Sequence, residues 1–279
     1  MGFHSEDELK RLPWLLVAVF YVPLICMALL SLGTGLGARF VNLRTINFAE
    51  MSLGNYAALS RAGPVARWYA NTMIYAAVVA IGSGILALAG GFAMVKMKAR
   101  LRRLTLVILV IAMAIPSTVI IIPLFLEMRY MGISGLPAVM LKSLAVPSGI
   151  IIAWQFLKSM PDGYFEAAVL DGATDLQTLW HIVLPISKPV FALTAIGKGM
   201  EFMGDYLWQS INLISPKMQT VVVAFTNQIW TVASSVGGTE SMINIKMAMG
   251  VGMFIPTLLI FLAGRKHLMD YTVDGGVKG

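Results

Sequence analysis

Three ionisable side chains lie inside one apolar stretch. Lys198, Glu201 and Asp205 fall at i, i+3 and i+7, on one helical face with Trp208. Charge in an apolar span is costly, so these groups should face a water-filled cavity or one another. Two readings follow. In one, Glu201, Asp205, Tyr206 and Trp208 line a path for a polar solute, whose hydroxyls and ring faces suit carboxylates and aromatics. In the other, Lys198 pairs with Glu201, and Asp205 bonds to a neighbouring helix. Catalysis finds no footing. No GxxxxGK[ST], HExxH or GxSxG pattern occurs, and Gly33–Phe40 is glycine-rich but lacks the Lys-Ser/Thr. His4, His181 and His267 lack metal-ligand spacing, so no catalytic residue, metal or cofactor is expected in this chain.

The elements that must position these residues are apolar helices. With 58% hydrophobic and 13% charged residues, and a mean hydropathy of +0.78, a water-soluble globular fold is excluded. A bilayer-spanning helix needs about 20 apolar residues. Six stretches reach or approach that: 14–32, 72–95, 104–126, 136–157, 190–211 and 247–264. The fourth is short if it starts near Leu144, and Pro147 lies near that start. The first reads as an uncleaved helix, because its apolar run is too long for a signal peptide and no cleavage site follows cleanly. Cys26, the single cysteine, is a packing residue there. The expected fold is an all-α membrane protein, one domain over 1–279, with six transmembrane helices.

Charge placement sets the orientation. Lys96, Lys98, Arg100, Arg102 and Arg103 crowd the connection between the second and third spans. Lys10 and Arg11 precede the first span, and Arg265, Lys266 and His267 follow the last. Basic flanks stay cytoplasmic, which puts both termini inside. The opposite loops carry Arg39, Arg44, Arg61, Arg67, Arg129, Lys142, Lys217 and Lys246, so the bias is partial. The net charge of +7 therefore serves topology and anionic headgroups, and no nucleic-acid partner is expected. Residues 33–70 and 212–245 form external segments, the second turning at Gly237-Gly238. Pro23, Pro116, Pro123, Pro147 and Pro256 fall in or beside spans, where neighbouring helices or water must satisfy the freed carbonyls. The 19 methionines read mainly as packing.

Between the fourth and fifth spans lies a polar island, 159–188, on the cytoplasmic side. Pro161 and Asp162 suit a helix start, and Gly172 suits a left-handed helix end near Asp171. Thr174 and Gln177 form a capping box. Leu176, Leu179, Trp180, Val183 and Leu184 then make an amphipathic stripe, and Pro185 stops the helix. Two uses fit: an interfacial helix lying on the membrane, or a docking segment for a partner.

The island also resembles a family signature. Glu166-Ala167-Ala168, three residues, Gly172, nine residues, then Ile182-x-Leu184-Pro185 is the EAA loop pattern of permease subunits of bacterial ATP-binding-cassette importers. The likeness extends along most of the chain, toward sugar-type permeases similar to the smaller membrane subunit of the maltose transporter. Arg67-Trp68-Tyr69-Ala70-Asn71-Thr72 resembles that family's approach to its second span, and Ile115-Pro116 with Ile122-Pro123-Leu124 its third. Asp205-Tyr206-Leu207-Trp208 resembles its fifth, and Gly275-Gly276-Val277-Lys278-Gly279 its ending. The sequence departs in two places: Ser31-Leu32-Gly33 lacks a usual lysine, and Met203-Gly204 replaces a usual Trp-Asn.

The resemblance implies a multi-pass permease in a bacterial or archaeal cell membrane, importing a carbohydrate. Its partners would be a second homologous permease, two ATP-binding subunits that hold ATP and Mg, and an extracytoplasmic solute-binding protein. Glu166, Ala167, Ala168, Asp171, Gly172, Ala173, Ile182, Leu184 and Pro185 would form the coupling loop, with Glu166 against the ATPase and the Leu176–Leu184 stripe against this subunit's own core. Glycerol phosphate or another small polar solute is the alternative cargo. An ion-coupled secondary transporter and a membrane scaffold are alternatives of another class; the inverted repeats expected of the former are not found.

Overall fold

The computed structural model describes residues 6–33, 51–61, 63–227 and 242–274. The Gly237-Gly238 turn, the Gly275–Gly279 ending, Arg39, Arg44 and the glycine-rich run beyond Gly33 lie outside them. Among the described residues every regular element is helical. In order these are α1 (Glu6–Leu32), α2 (Gly54–Arg61), α3 (Val65–Lys96), α4 (Ala99–Ala114), α5 (Ser117–Tyr130), α6 (Leu136–Ser143) and α7 (Pro147–Lys158). There follow α8 (Gly163–Leu170), α9 (Asp175–Thr178), a π-helical turn (Leu179–Val183), α10 (Leu184–Ile186), α11 (Lys188–Gly204), α12 (Tyr206–Asn212), α13 (221–227) and α14 (Met242–Asp274).

Val65–Lys96, Leu136–Lys158 and Ile243–Leu262 are each long and apolar enough to cross a membrane. Among the described residues the count reaches five if each of two bent pairs is one span. The first expected span falls in α1, where Val19–Leu32 is a shorter apolar helix among the described residues. The fourth reaches back to Leu136, with Pro147 opening α7 after a short break. The third expected span is not one straight helix. Ile115 is extended (φ −82°, ψ 119°) ahead of Pro116, and α4 and α5 meet there at 103°. The break falls at the residue before a proline, a position disfavoured in the helical region. Pro123 and Pro256, by contrast, lie within continuous helices.

The chain divides into two compact units. One comprises Met1–Trp68 and Val221–Ile255. Its interior is knotted by polar contacts on the end of α1: Asn55 Nδ2 donates to the Ser31 and Gly33 carbonyls, and Asn244 Nδ2 donates to Gly33 as well. The Ser31 and Tyr56 hydroxyls share a hydrogen bond of 2.7 Å. Trp68 meets Phe225 edge-to-face at 6.1 Å.

The other unit, Tyr69–Thr220 with Pro256–Gly279, carries the candidate site. Its α3 packs through small residues. A Cβ on Gly91 would come within 2.6 Å of Ala153 Cβ and 2.7 Å of the Trp154 backbone nitrogen, so α3 and α7 touch nearly backbone to backbone. One core cluster gathers Leu88, Phe92, Ala153, Leu157, Val183 and Val190; a second gathers Ala76, Val79, Val139, Phe202 and Trp208. No residue of α4 is buried, and Val107, Ile108, Val110 and Ile111 are all exposed. Such a surface suits lipid rather than water.

Candidate functional site

The island folds as a sharply turned pair of helices. Asp162 precedes α8, and its carbonyl accepts from the Phe165 and Glu166 amides. At the far end Gly172 takes φ +72°, a conformation open to glycine at little cost. The Gly172 amide donates to Val169 and the Ala173 amide to Ala168, so the last carbonyls of α8 are satisfied across the turn. Thr174 then opens α9 with a reciprocal cap: Gln177 N–H donates to Thr174 Oγ1 at 3.3 Å, and Thr174 N–H to Gln177 Oε1 at 2.8 Å.

Pro185 does not stop the helix. The π turn Leu179–Val183 precedes it, with the Leu184 amide reaching back to Leu179, and helical structure continues to Ile186. A π turn just ahead of a proline adapts the hydrogen-bond ladder to the missing N–H. The chain then turns at Ser187 and leaves as α11 at 85°. The expected stripe is divided. Val183 is buried, and Leu179 and Leu184 pack on the cluster around Phe92, whereas Leu176 and Trp180 are exposed.

Two further contacts fix the island to the end of α3. Phe165 lies 5.9 Å from Phe92, ring to ring, and Lys96 pairs with Asp175 while sitting over the Phe92 ring. Ala168 is buried, and Ala173, Ile182 and Leu184 are half-buried. Glu166, Ala167, Asp171, Gly172 and Pro185 face outward. Around Glu166 the surface is also apolar: Tyr164, Val169 and Leu170 are exposed, Leu170 at 88%. Carboxylates amid exposed apolar side chains, on an anchored turn, are built like an interface.

The charges of the fifth stretch are arranged differently from a single helical face. α11 ends at Gly204, and Asp205 (φ −79°, ψ 71°) becomes the cap of α12, accepting from Trp208 N–H at 3.3 Å. Its other oxygen pairs with Lys142 of α6 at 2.5 Å, and Lys142 Nζ lies 5.7 Å from the Trp208 ring. Lys198 pairs with Glu201 at 2.9 Å. Trp208 is wholly buried, its indole N–H donating to Ala138. It is a core residue, and not the wall of a path, because the break at Asp205 turns its side chain into the second cluster. Tyr206 and Asp205 are half-buried and Glu201 is exposed. Lys142, Ser143, Lys198, Glu201, Phe202 and Asp205 share one small cleft.

Two residues here escaped the sequence reading. Lys142 was assigned to an external loop, and its partner is 63 positions away. Asn71 belonged to a motif without a role; its amide donates to the Lys217 and Gln219 carbonyls, tying the segment after α12 to α3. Buried Gln209 continues this brace, donating to Phe202 and accepting from the Thr220 hydroxyl.

The arrangement has known counterparts. A solved bacterial ABC transporter involved in import of the acidic polysaccharide alginate matches the fold with a TM-score of 0.77 at 22% identity, over 95% of this chain and 99% of that one. The arabinooligosaccharides transport system permease protein AraQ of Bacillus subtilis (strain 168) is 24% identical over 268 residues, 95% of this chain and 93% of its own. The sn-glycerol-3-phosphate transport system permease protein UgpE of Yersinia pestis bv. Antiqua (strain Antiqua) is 24% identical over 205 residues, 73% of this chain and 71% of its own. The model of one family covers residues 82–268, a range that holds the anchored turn, its π turn and the Lys142–Asp205 pair together. This apolar helical chain, a multi-pass membrane protein, belongs to the binding-protein-dependent transport system inner membrane component family.

Proposed function

We propose that this chain is a permease subunit of an ATP-driven importer for a carbohydrate, with residues 159–188 as its coupling loop. The observation that carries this reading is the anchored turn: Glu166 and its apolar neighbours face outward while Phe165, Leu179 and Val183 bind the turn to the end of α3. A partner that closes on Glu166, Ala167, Asp171, Gly172 and Pro185, the outward residues of a loop that Ala168, Ala173, Ile182 and Leu184 complete, would move a segment continuous with α11. Motion passes between subunits only through such differential contacts. In this reading two ATPase subunits hold ATP and Mg, and no cofactor resides in this chain. The single domain has six spans, both termini and the loop on the cytoplasmic side, and a bacterial or archaeal cell membrane around it. A second homologous permease completes the channel, and an extracytoplasmic binding protein delivers the cargo.

Glu201, Asp205 and Tyr206 are the candidates for contact with the passing solute. AraQ and the alginate transporter support carbohydrate as cargo. The likeness to UgpE favours a second reading, glycerol phosphate or a similar small polar solute. Tagged chain purified gently from native membranes should bring down a second permease, an ATPase and a binding protein, and ligand screening on the last separates the two cargoes. In the assembled complex, Glu166→Ala and Gly172→Ala should abolish ATP-driven uptake at unchanged membrane levels. Unchanged uptake would sink the coupling assignment.

A further inference from the structure

We propose that an anionic phospholipid binds at the elbow between α3 and α4, with an acyl chain in the groove beside Phe92 and its phosphate on the basic run Lys98–Arg103. The groove is open, offers about 500 Å³ and is lined mainly by Ala89, Phe92, Ala93, Met97, Leu176 and Leu179. That volume falls in the range of small-molecule sites, about 300–1,000 Å³. At its mouth Lys96 is matched by Asp175. Lys98, Arg100, Arg102 and Arg103 follow at once, and among the described residues none of them forms an ion pair. An apolar slot whose lining ends at Met97, one residue before this basic run, fits a molecule with an apolar tail and an anionic head. Free phosphate would leave the slot unused. Leu176 and Leu179 belong to the turn assigned above to coupling, so a bound lipid would also seat that turn; this consequence alone rests on that assignment.

The test uses the assembled transporter, purified through this chain and placed in nanodiscs of phosphatidylcholine with or without phosphatidylglycerol. Native mass spectrometry reads the lipid retained per complex. The wild type should retain phosphatidylglycerol in preference to phosphatidylcholine. The variant Lys98→Gln/Arg100→Gln/Arg102→Gln/Arg103→Gln should reduce that retention roughly tenfold or more, each cation contributing severalfold. Because those charges also orient the chain, a second variant leaves them in place: Ala93→Trp, at an exposed position, fills the slot and should reduce retention as far. Equal retention of the two lipids overturns the site. So does wild-type retention in Ala93→Trp, which would reduce the effect to surface charge. Glu166→Ala leaves the groove intact and should keep its lipid whether or not it couples to an ATPase, so the two ideas fail separately.

Discussion

Removing one partner of the Lys142–Asp205 pair should cost far more than removing both. Breaking a buried ion pair by deleting one member costs about 3–5 kcal/mol, because a desolvated charge is left alone. Here the side chains are 17% and 20% exposed, which lowers the expectation to about 2–3 kcal/mol for Lys142→Met or Asp205→Asn. Asp205→Ala should be worse by about 1 kcal/mol, since it also removes the cap on the Trp208 amide. The double variant Lys142→Met/Asp205→Asn leaves no isolated charge and should cost only about 1–2 kcal/mol, well below the sum of its singles. For a chain of this size each kcal/mol corresponds to roughly 2–4 °C in melting temperature. Thermal melting of the purified transporter, followed through this subunit, should therefore show each single variant about 5–10 °C lower and the double variant recovering part of that loss. Additive losses would refute the reasoning: the pair would then be incidental, and each residue would act through contacts of its own.

Three more outcomes follow from the geometry. Gly91→Ala should destabilise by about 1–3 kcal/mol and lower the yield of folded protein, because the added Cβ meets a backbone nitrogen that cannot swing aside. Thr174→Ala should cost about 1 kcal/mol locally by removing one half of the reciprocal cap, read as faster amide exchange through α9 with the global melting point nearly unchanged. Gly204→Asn should leave stability within about 0.5 kcal/mol, since a Cβ there meets open space and the residue does not use a positive φ. Melting curves of that variant test this last expectation, and a large loss would mean that something packs on the end of α11.

Local chemistry was legible in the sequence and long-range pairing was not. Gly172 and the Thr174–Gln177 cap act within a few residues, so their types alone specified the turn that the structure contains. Apolar runs likewise pointed to spans at 72–95 and 136–157, which lie within the helical stretches Val65–Lys96 and Leu136–Lys158. The prolines were ambiguous. Pro116 breaks its helix while Pro123 and Pro256 do not, because the outcome depends on what neighbouring segments offer the freed carbonyls. The stop expected at Pro185 does not occur, because the π turn just ahead of it adapts the ladder to the missing N–H and helix continues to Ile186. The helical face that was expected to unite Lys198, Glu201, Asp205 and Trp208 failed at the Asp205 cap, and the lysine that completes that site lies on another helix.

The turn at Ser187 has a mechanical consequence. From it α11 runs unbroken for 17 residues to Gly204, a rod of about 26 Å at 1.5 Å per residue. One end is continuous with the anchored turn, and the other ends one residue short of the Asp205–Lys142 pair. A rod of that length is a lever arm. Tilting it by about 5° about Ser187 would carry its far end through about 2 Å, nearly the length of an ion pair. An adjustment at the near end too small to disturb its own packing would thus make or break an electrostatic latch at the other.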